Sequence, residues 1–146
     1  MKEKRFKTHS VEETLALGER IAAMLHPPLI VILRGEVGAG KTTLVKGIAA
    51  ALGAAAEDEV TSPTFTIVHE YTGTNNVRLF HLDLYRLETE EQIAVLGIDE
   101  MAGYPDSLLL IEWGERFESI VQRASGEIYM EHGEGDERGL IVRLKQ

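Results

Sequence analysis

The sequence predicts an α/β protein: one domain over residues 1–146, built on a mixed β-sheet flanked by helices, with β-hairpins. Three observations lead there. Two runs, "LIVILR" at 29–34 and "SLLLIEW" at 107–113, are apolar without alternation, the mark of strands covered on both faces. Segments of helical period stand between the strand-like runs. Two pairs of β-rich runs are joined by turn-forming stretches, which predicts hairpins.

Taken in order, residues 3–9 form a short polar strand. Ser10 is placed as a helix N-cap, with Glu13 at the capping-box spacing. Val11, Leu15, Ala22 and Leu25 mark one apolar face of a helix over 11–25, stopped by "HPP" at 26–28. After the strand at 29–34 comes an alanine-rich helix over 41–52, with Gly53 as its left-handed cap. "TFTIVHEY" (64–71) and "VRLFHLDLYR" (77–86) flank "TGTNN" as a hairpin. A helix is predicted over 88–97, a buried strand over 107–113 and a short helix over 115–123. "EIYMEHGEGDERGLIVRLK" closes the chain as a hairpin with a glycine-rich acidic turn.

Composition narrows the function classes. The chain is 44% hydrophobic and can bury a real core. It has no cysteine, which removes disulfides and thiolate metal sites and fits a reducing compartment. "MKEKRFKTHS" carries cations with no apolar stretch after them, unlike a secretory signal. "LIVIL" is far too short to cross a bilayer, so a soluble, cytoplasmic protein without a membrane partner is expected. Fifteen cations against 24 anions leave a net charge of −9. Such a surface repels phosphate backbones, so any nucleic acid in its biology is expected to be held by another subunit.

The chemistry centres on "GEVGAGKTT", residues 35–43. Gly35, Gly40, Lys41 and Thr42 match G-x-x-x-x-G-K-[ST]. Glycine lets the backbone wrap closely around a ligand. The amides from Gly38 through Ala39 and Gly40 to Thr42 form a nest for phosphate oxygens, and the helix behind them adds its positive end. Lys41 supplies a full charge to the β and γ phosphates, and Thr42 a hydroxyl for Mg²⁺. Mg²⁺ needs a second protein oxygen, and Glu112, at the end of "LLLIEW", stands where an open α/β sheet binds ligands. Its alternative is a carboxylate merely emerging at a strand end.

In "HLDLYR", His81, Asp83 and Tyr85 share one face of a strand, and Asp83 is placed to orient or deprotonate a water. An edge strand with a polar solvent face is the competing account. In "TSPTF", Thr61, Ser62 and Thr64 surround a stiffening proline, as in a loop that senses a γ-phosphate; an ordinary strand entry fits equally. Trp113 is assigned to the core rather than to a partner contact. No N-K-x-D motif supports guanine recognition, and His9, His26, His69 and His132 lack metal-ligand spacing.

"GEVGAGKTTL", "TSPTF", "HLDLYR", "LGIDE" and "IEW", in that order, give the chain a close resemblance to the TsaE family, formerly YjeE. These are small bacterial ATPases of tRNA threonylcarbamoyladenosine biosynthesis. The resemblance implies a P-loop NTPase fold, binding of ATP and Mg²⁺, and slow hydrolysis in isolation. It implies two partner proteins, TsaD and TsaB, which attach the threonylcarbamoyl group to tRNA, with tRNA contacted indirectly through the complex. Carried onto this chain, Lys41, Asp83 and Glu112 are the catalytic set, and Thr42 and Glu112 hold the metal. Ser10, Gly38, Ala39, Gly40, Lys41, Thr42, Thr43 and Arg138 bind nucleotide, with Ser10, Thr8 and Thr14 toward the adenine and "TSPTF" as the switch. Where the family often has Asp-Leu, this chain has Glu36-Val37, positions that mainly lend backbone. Two other classes fit the same loop: a small-molecule kinase, whose lid would fall to Arg116 and Arg123, and a non-catalytic nucleotide switch.

Overall fold

In the computed structural model, which describes residues 2–36, 39–54 and 68–145, the two unbroken apolar runs are neighbouring parallel strands. The strands are β1 (Lys2–Thr8), β2 (Leu29–Gly35), β3 (Val68–Thr72), β4 (Arg78–Asp83), β5 (Ser107–Glu112), β6 (Gly126–His132) and β7 (Arg138–Leu144). They form one sheet in the order β1-β7-β6-β2-β5-β4-β3. The inner strands β6, β2, β5 and β4 are parallel. Antiparallel partners close both sides: β7 and β1 beyond β6, and β3 beyond β4. The mixed sheet and both hairpins therefore stand as predicted.

Helices cover both faces. On one lie α1 (Val11–Ala22) and α2 (Lys41–Ala51); on the other α3 (Glu90–Ala94), α4 (Ile98–Ala102) and α5 (Glu118–Arg123). Strand alternation divides the core accordingly. Val31, Leu33, Leu79, Leu108 and Leu110 pack with Leu17, Ile21, Leu44 and Ile48. Ile30, Ile32, Phe80, Leu82, Leu109 and Ile111 pack with Ile93, Ile98 and Ile120. Burial of each such side chain contributes about 2 kcal/mol. Between α1 and α2 the backbones touch: a Cβ on Gly47 would stand 2.3 Å from the Leu15 carbonyl oxygen. That contact sets both helix N-termini against the same end of the sheet.

Several predicted boundaries move. The buried face of α1 is Thr14, Leu17, Gly18, Ile21 and Ala22. Of the predicted face, Ala22 and Leu25 are buried as expected, while Val11 is 48% exposed, because the close approach of Gly18 to Gly47 turns that side of the helix toward α2. The helix ends at Ala22, where Met24 and Leu25 donate to the carbonyls of Ile21 and Ala22 and tighten the last turn. Gly53 takes φ 66 after α2, as its cap role requires. The helix predicted over 88–97 is the shorter α3, and after it Gly97, with φ 79, starts a further helix, α4, that the sequence reading did not predict. The one predicted over 115–123 divides into a 3₁₀ turn, Gly114–Arg116, and α5. β4 stops at Asp83 instead of reaching Arg86, because the Asp83 carboxylate accepts the Tyr85 N–H at 2.9 Å and turns the chain.

Candidate functional site

The site lies at the carboxyl ends of β2, β4 and β5, facing α1 and α2. Two helices begin there, and their N-termini differ in chemistry. α1 is filled: the Ser10 hydroxyl accepts the Glu13 N–H at 3.1 Å, and Glu12 and Glu13 stand in its first turn. The Glu13 carboxylate accepts the N–H of His9 rather than that of Ser10, so the capping box is displaced by one residue. α2 is open. Its N-cap, Gly40, has φ 100 and no side chain to accept a hydrogen bond, and no acidic residue occupies the first turn. A helix N-terminus that no side chain caps among the described residues can receive an anion at its amides.

Lys41 begins α2 and is buried, 8% exposed. Its ammonium donates to the Gly35 carbonyl at 2.6 Å, lies 3.5 Å from Glu112 Oε1, and sits 5.3 Å from the centre of the Trp113 ring. Glu112, 6% exposed, ends β5 and gives its other oxygen, Oε2, to His81 Nε2 at 2.6 Å. Burial pushes the Glu112 carboxyl up, but the His81 hydrogen bond and the nearby His81 and Lys41 charges outweigh it and hold the group below the usual range. Asp83 stands beside Glu112 in the β4–β5 register. Its carboxyl is raised, first by burial and then by the Glu112 charge, against the opposing hydrogen bond from Tyr85 and the charges of Lys41 and His81.

Of the sequence-predicted residues, Lys41, Glu112 and Asp83 come together here. Because β4 lies between β5 and β3, it is not an edge strand, and His81 is wholly buried. Tyr85 leaves the shared face: it stands in the turn after β4, 59% exposed, its ring 5.3 Å from Trp113. Trp113, with φ 66, is half-buried against the α3–α5 side of the core. Thr42 and Thr43 follow Lys41 in the first turn of α2. Thr14, Gly40, Thr43 and Arg138 line one small pocket with Val11 and Asp136. Ser10 is not on that lining; its hydroxyl caps α1. Thr8 and Thr14 share a buried hydroxyl pair at 2.8 Å. Arg138 donates through Nε to the Ala39 carbonyl at 2.8 Å, tying β7 to the loop. Gly38 and the "TSPTF" segment lie outside the described residues.

Arg116 donates to the carbonyls of Tyr85 and Leu87, and Arg123 pairs with Asp99 at 2.6 Å, so both arginines brace the domain. Sequence reasoning placed His81 on the Asp83 face but gave it no partner. The available signal was its position between apolar neighbours in a run now seen to be an inner strand. Among the described residues no group of three or more His, Asp or Glu side chains could hold a metal by itself.

The comparisons with known proteins agree with one another. A family model described as "Threonylcarbamoyl adenosine biosynthesis protein TsaE" matches residues 8–140. A Bacillus subtilis protein named "tRNA threonylcarbamoyladenosine biosynthesis protein TsaE" is 37% identical over 138 residues, 94% of this chain and 84% of that one. One of the same name from Aquifex aeolicus is 41% identical over 107 residues, 73% of this chain and 74% of its own. The crystal structure of YdiB from Bacillus subtilis superposes with a TM-score of 0.75 at 32% identity, covering 99% of this chain and 87% of that one.

Proposed function

The chain belongs to the TsaE family, and from that premise we propose that it is a Mg²⁺-dependent ATPase serving tRNA threonylcarbamoyladenosine biosynthesis. The observation that carries the proposal is the open N-terminus of α2, with Lys41 buried beside it and held by a carbonyl and Glu112. A buried ammonium aimed at that end of the helix is matched to a polyphosphate. On binding, Lys41 exchanges the Gly35 carbonyl and Glu112 for phosphate oxygens, while the α2 amides take the remaining ones.

The residues present fit Mg²⁺. It is a hard cation that takes oxygen ligands, and Glu112 is kept ionised next to the first turn of α2 with its Thr42 hydroxyl. Thr42 and Glu112 would hold it, and it would neutralise charge on the phosphates. Asp83, whose carboxyl is raised, is suited to accept a proton from the attacking water and to orient it. Arg138 supports the loop through the Ala39 carbonyl and borders the small pocket beside Thr14 and Thr43, where the nucleoside would sit.

TsaD and TsaB are the proposed partners, with tRNA reached through them, in keeping with a net charge of −9. Among the described residues no helix is long and apolar enough to cross a membrane, and the cytoplasm is the proposed compartment on the strength of the family. The test is an ATPase assay with and without purified TsaD–TsaB and tRNA, reading both ADP and modified adenosine. Slow ADP release alone, faster release with the complex, and repeated modification only when this chain is present are expected. ATP left intact in the full mixture would favour the nucleotide switch, and ADP release that needs only a small acceptor would favour the kinase.

A further inference from the structure

His81 has no assigned role in the reaction, yet it is the most completely buried polar side chain at the site. It is 0% exposed, on the face of β4 that carries Asp83, with Nε2 at 2.6 Å from Glu112 Oε2. Its other nitrogen, Nδ1, has no hydrogen-bond partner among the described residues. Burying an imidazole with one nitrogen unsatisfied is destabilising relative to an apolar ring of similar size. What His81 supplies instead is direction. With Oε2 engaged by the imidazole, Glu112 Oε1 is the oxygen turned toward Lys41 at 3.5 Å. The Glu112 backbone is fixed as well, since its carbonyl accepts the Leu84 N–H at 3.0 Å.

We propose that His81 is a positioning residue: its Nε2–H holds one oxygen of Glu112 so that the other is presented to the metal that accompanies the nucleotide. This rests on the assignment of Glu112 as a metal ligand. A carboxylate anchored by an N–H donor loses less freedom when it coordinates, and its free oxygen already points the right way. Lys41 cannot serve as that anchor, because its charge is needed by the phosphates.

The test compares wild type, His81→Phe, His81→Gln and Glu112→Ala by titration calorimetry with ADP across a range of Mg²⁺ concentrations and in EDTA. In His81→Phe the Mg²⁺ concentration giving half of the tightening is expected to rise by about 10- to 100-fold. ADP affinity in EDTA should stay at the wild-type value. His81→Gln, which keeps an N–H near the Nε2 position, should recover most of the Mg²⁺ response. An unchanged midpoint in His81→Phe, with the response lost in Glu112→Ala, overturns the positioning role and leaves the metal assignment standing. An unchanged response in Glu112→Ala removes the metal assignment and the positioning role together. Should His81→Phe fail to fold, the wild-type protein still decides. Long-range ¹H–¹⁵N spectra of histidine-labelled protein are expected to show the His81 proton on Nε2. A neutral tautomer with the proton on Nδ1, and a bare Nε2 facing the carboxylate, overturns the proposal.

Discussion

The ends of β4 and β5 are adjacent, in register and on the same face of the sheet, yet their terminal carboxylates are pushed in opposite directions. Glu112 is deeper, but its two oxygens meet an imidazole and an ammonium, and it is held below its ordinary value of 4.5. Asp83 is less enclosed, receives a hydrogen bond only from the Tyr85 backbone N–H among the described residues, faces the Glu112 charge, and is raised above 3.8. Neighbouring acids pushed in opposite directions are suited to separate tasks: one is helped to stay charged as a ligand, the other to take up a proton. Depth alone would raise Glu112, so at its strand end the hydrogen-bond donor and the neighbouring charges outweigh burial.

The largest test of that division removes the proton acceptor. Asp83→Asn keeps the side-chain oxygen that accepts the Tyr85 N–H, so the turn should persist. Hydrolysis in the presence of the partner complex is expected to fall by about 10²- to 10⁴-fold, while ADP affinity by calorimetry stays within error. A matching loss of affinity would move Asp83 to the ligand side of the comparison.

Next in size is Lys41→Ala. It removes a charge-assisted hydrogen bond to phosphate and should weaken ATP binding by roughly 10- to 100-fold. It also removes a charge that lowers both Glu112 and Asp83, so both carboxylates should titrate higher than in wild type by carbon-detected NMR. Unchanged ATP affinity would end the polyphosphate assignment. A smaller effect is expected from Arg116→Ala. The guanidinium binds the Tyr85 and Leu87 carbonyls from the turn after β5, fastening one strand end to the other. Loss of about 1 kcal/mol in denaturant unfolding, with a several-fold fall in hydrolysis and intact ADP binding, would show that the spacing of the two carboxylates matters to the chemistry.

How much of this was legible in the sequence depended on how local each feature is. The loop–helix junction is written contiguously in Gly40, Lys41 and Thr42, and the unbroken run ending at Glu112 announces a strand end. The meeting of His81 with Glu112 is not, because 31 residues separate them and only the parallel β4–β5 register makes them neighbours. For α1, the predicted face was right at Ala22 and Leu25 but not at Val11 and Leu15, where the glycine contact with α2 buries Thr14 and Gly18 instead. The predicted helix rightly ended by Gly97; what was missed is α4 beyond it, five residues started by that left-handed glycine and too short to show a helical period. The family resemblance drew on the order of several motifs at once, which is why it reached further than any one of them.

The finest test concerns stability, and it separates the two carboxylates by sign. A carboxyl raised in the native state favours folding when protonated; that contribution is complete below its ordinary value of 3.8 and is lost as pH rises through the native value. Above it, the Asp83 charge is a cost to the fold. Asp83→Asn, so damaging to hydrolysis, should therefore unfold at a slightly higher temperature than wild type at neutral pH, and the advantage should vanish as the solution is acidified. Glu112 behaves oppositely: its contribution is complete above 4.5 and is lost as pH falls through its lower native value. Melting curves of wild type, Asp83→Asn and Glu112→Gln between acid and neutral pH read both signs. If Asp83→Asn were destabilised at neutral pH, the carboxylate would be earning a native partner beyond the Tyr85 N–H, and the opposition between the two strand ends would collapse. If the rise appears, the same charge that burdens the fold is the one placed for the water, a stability cost located at the point of function.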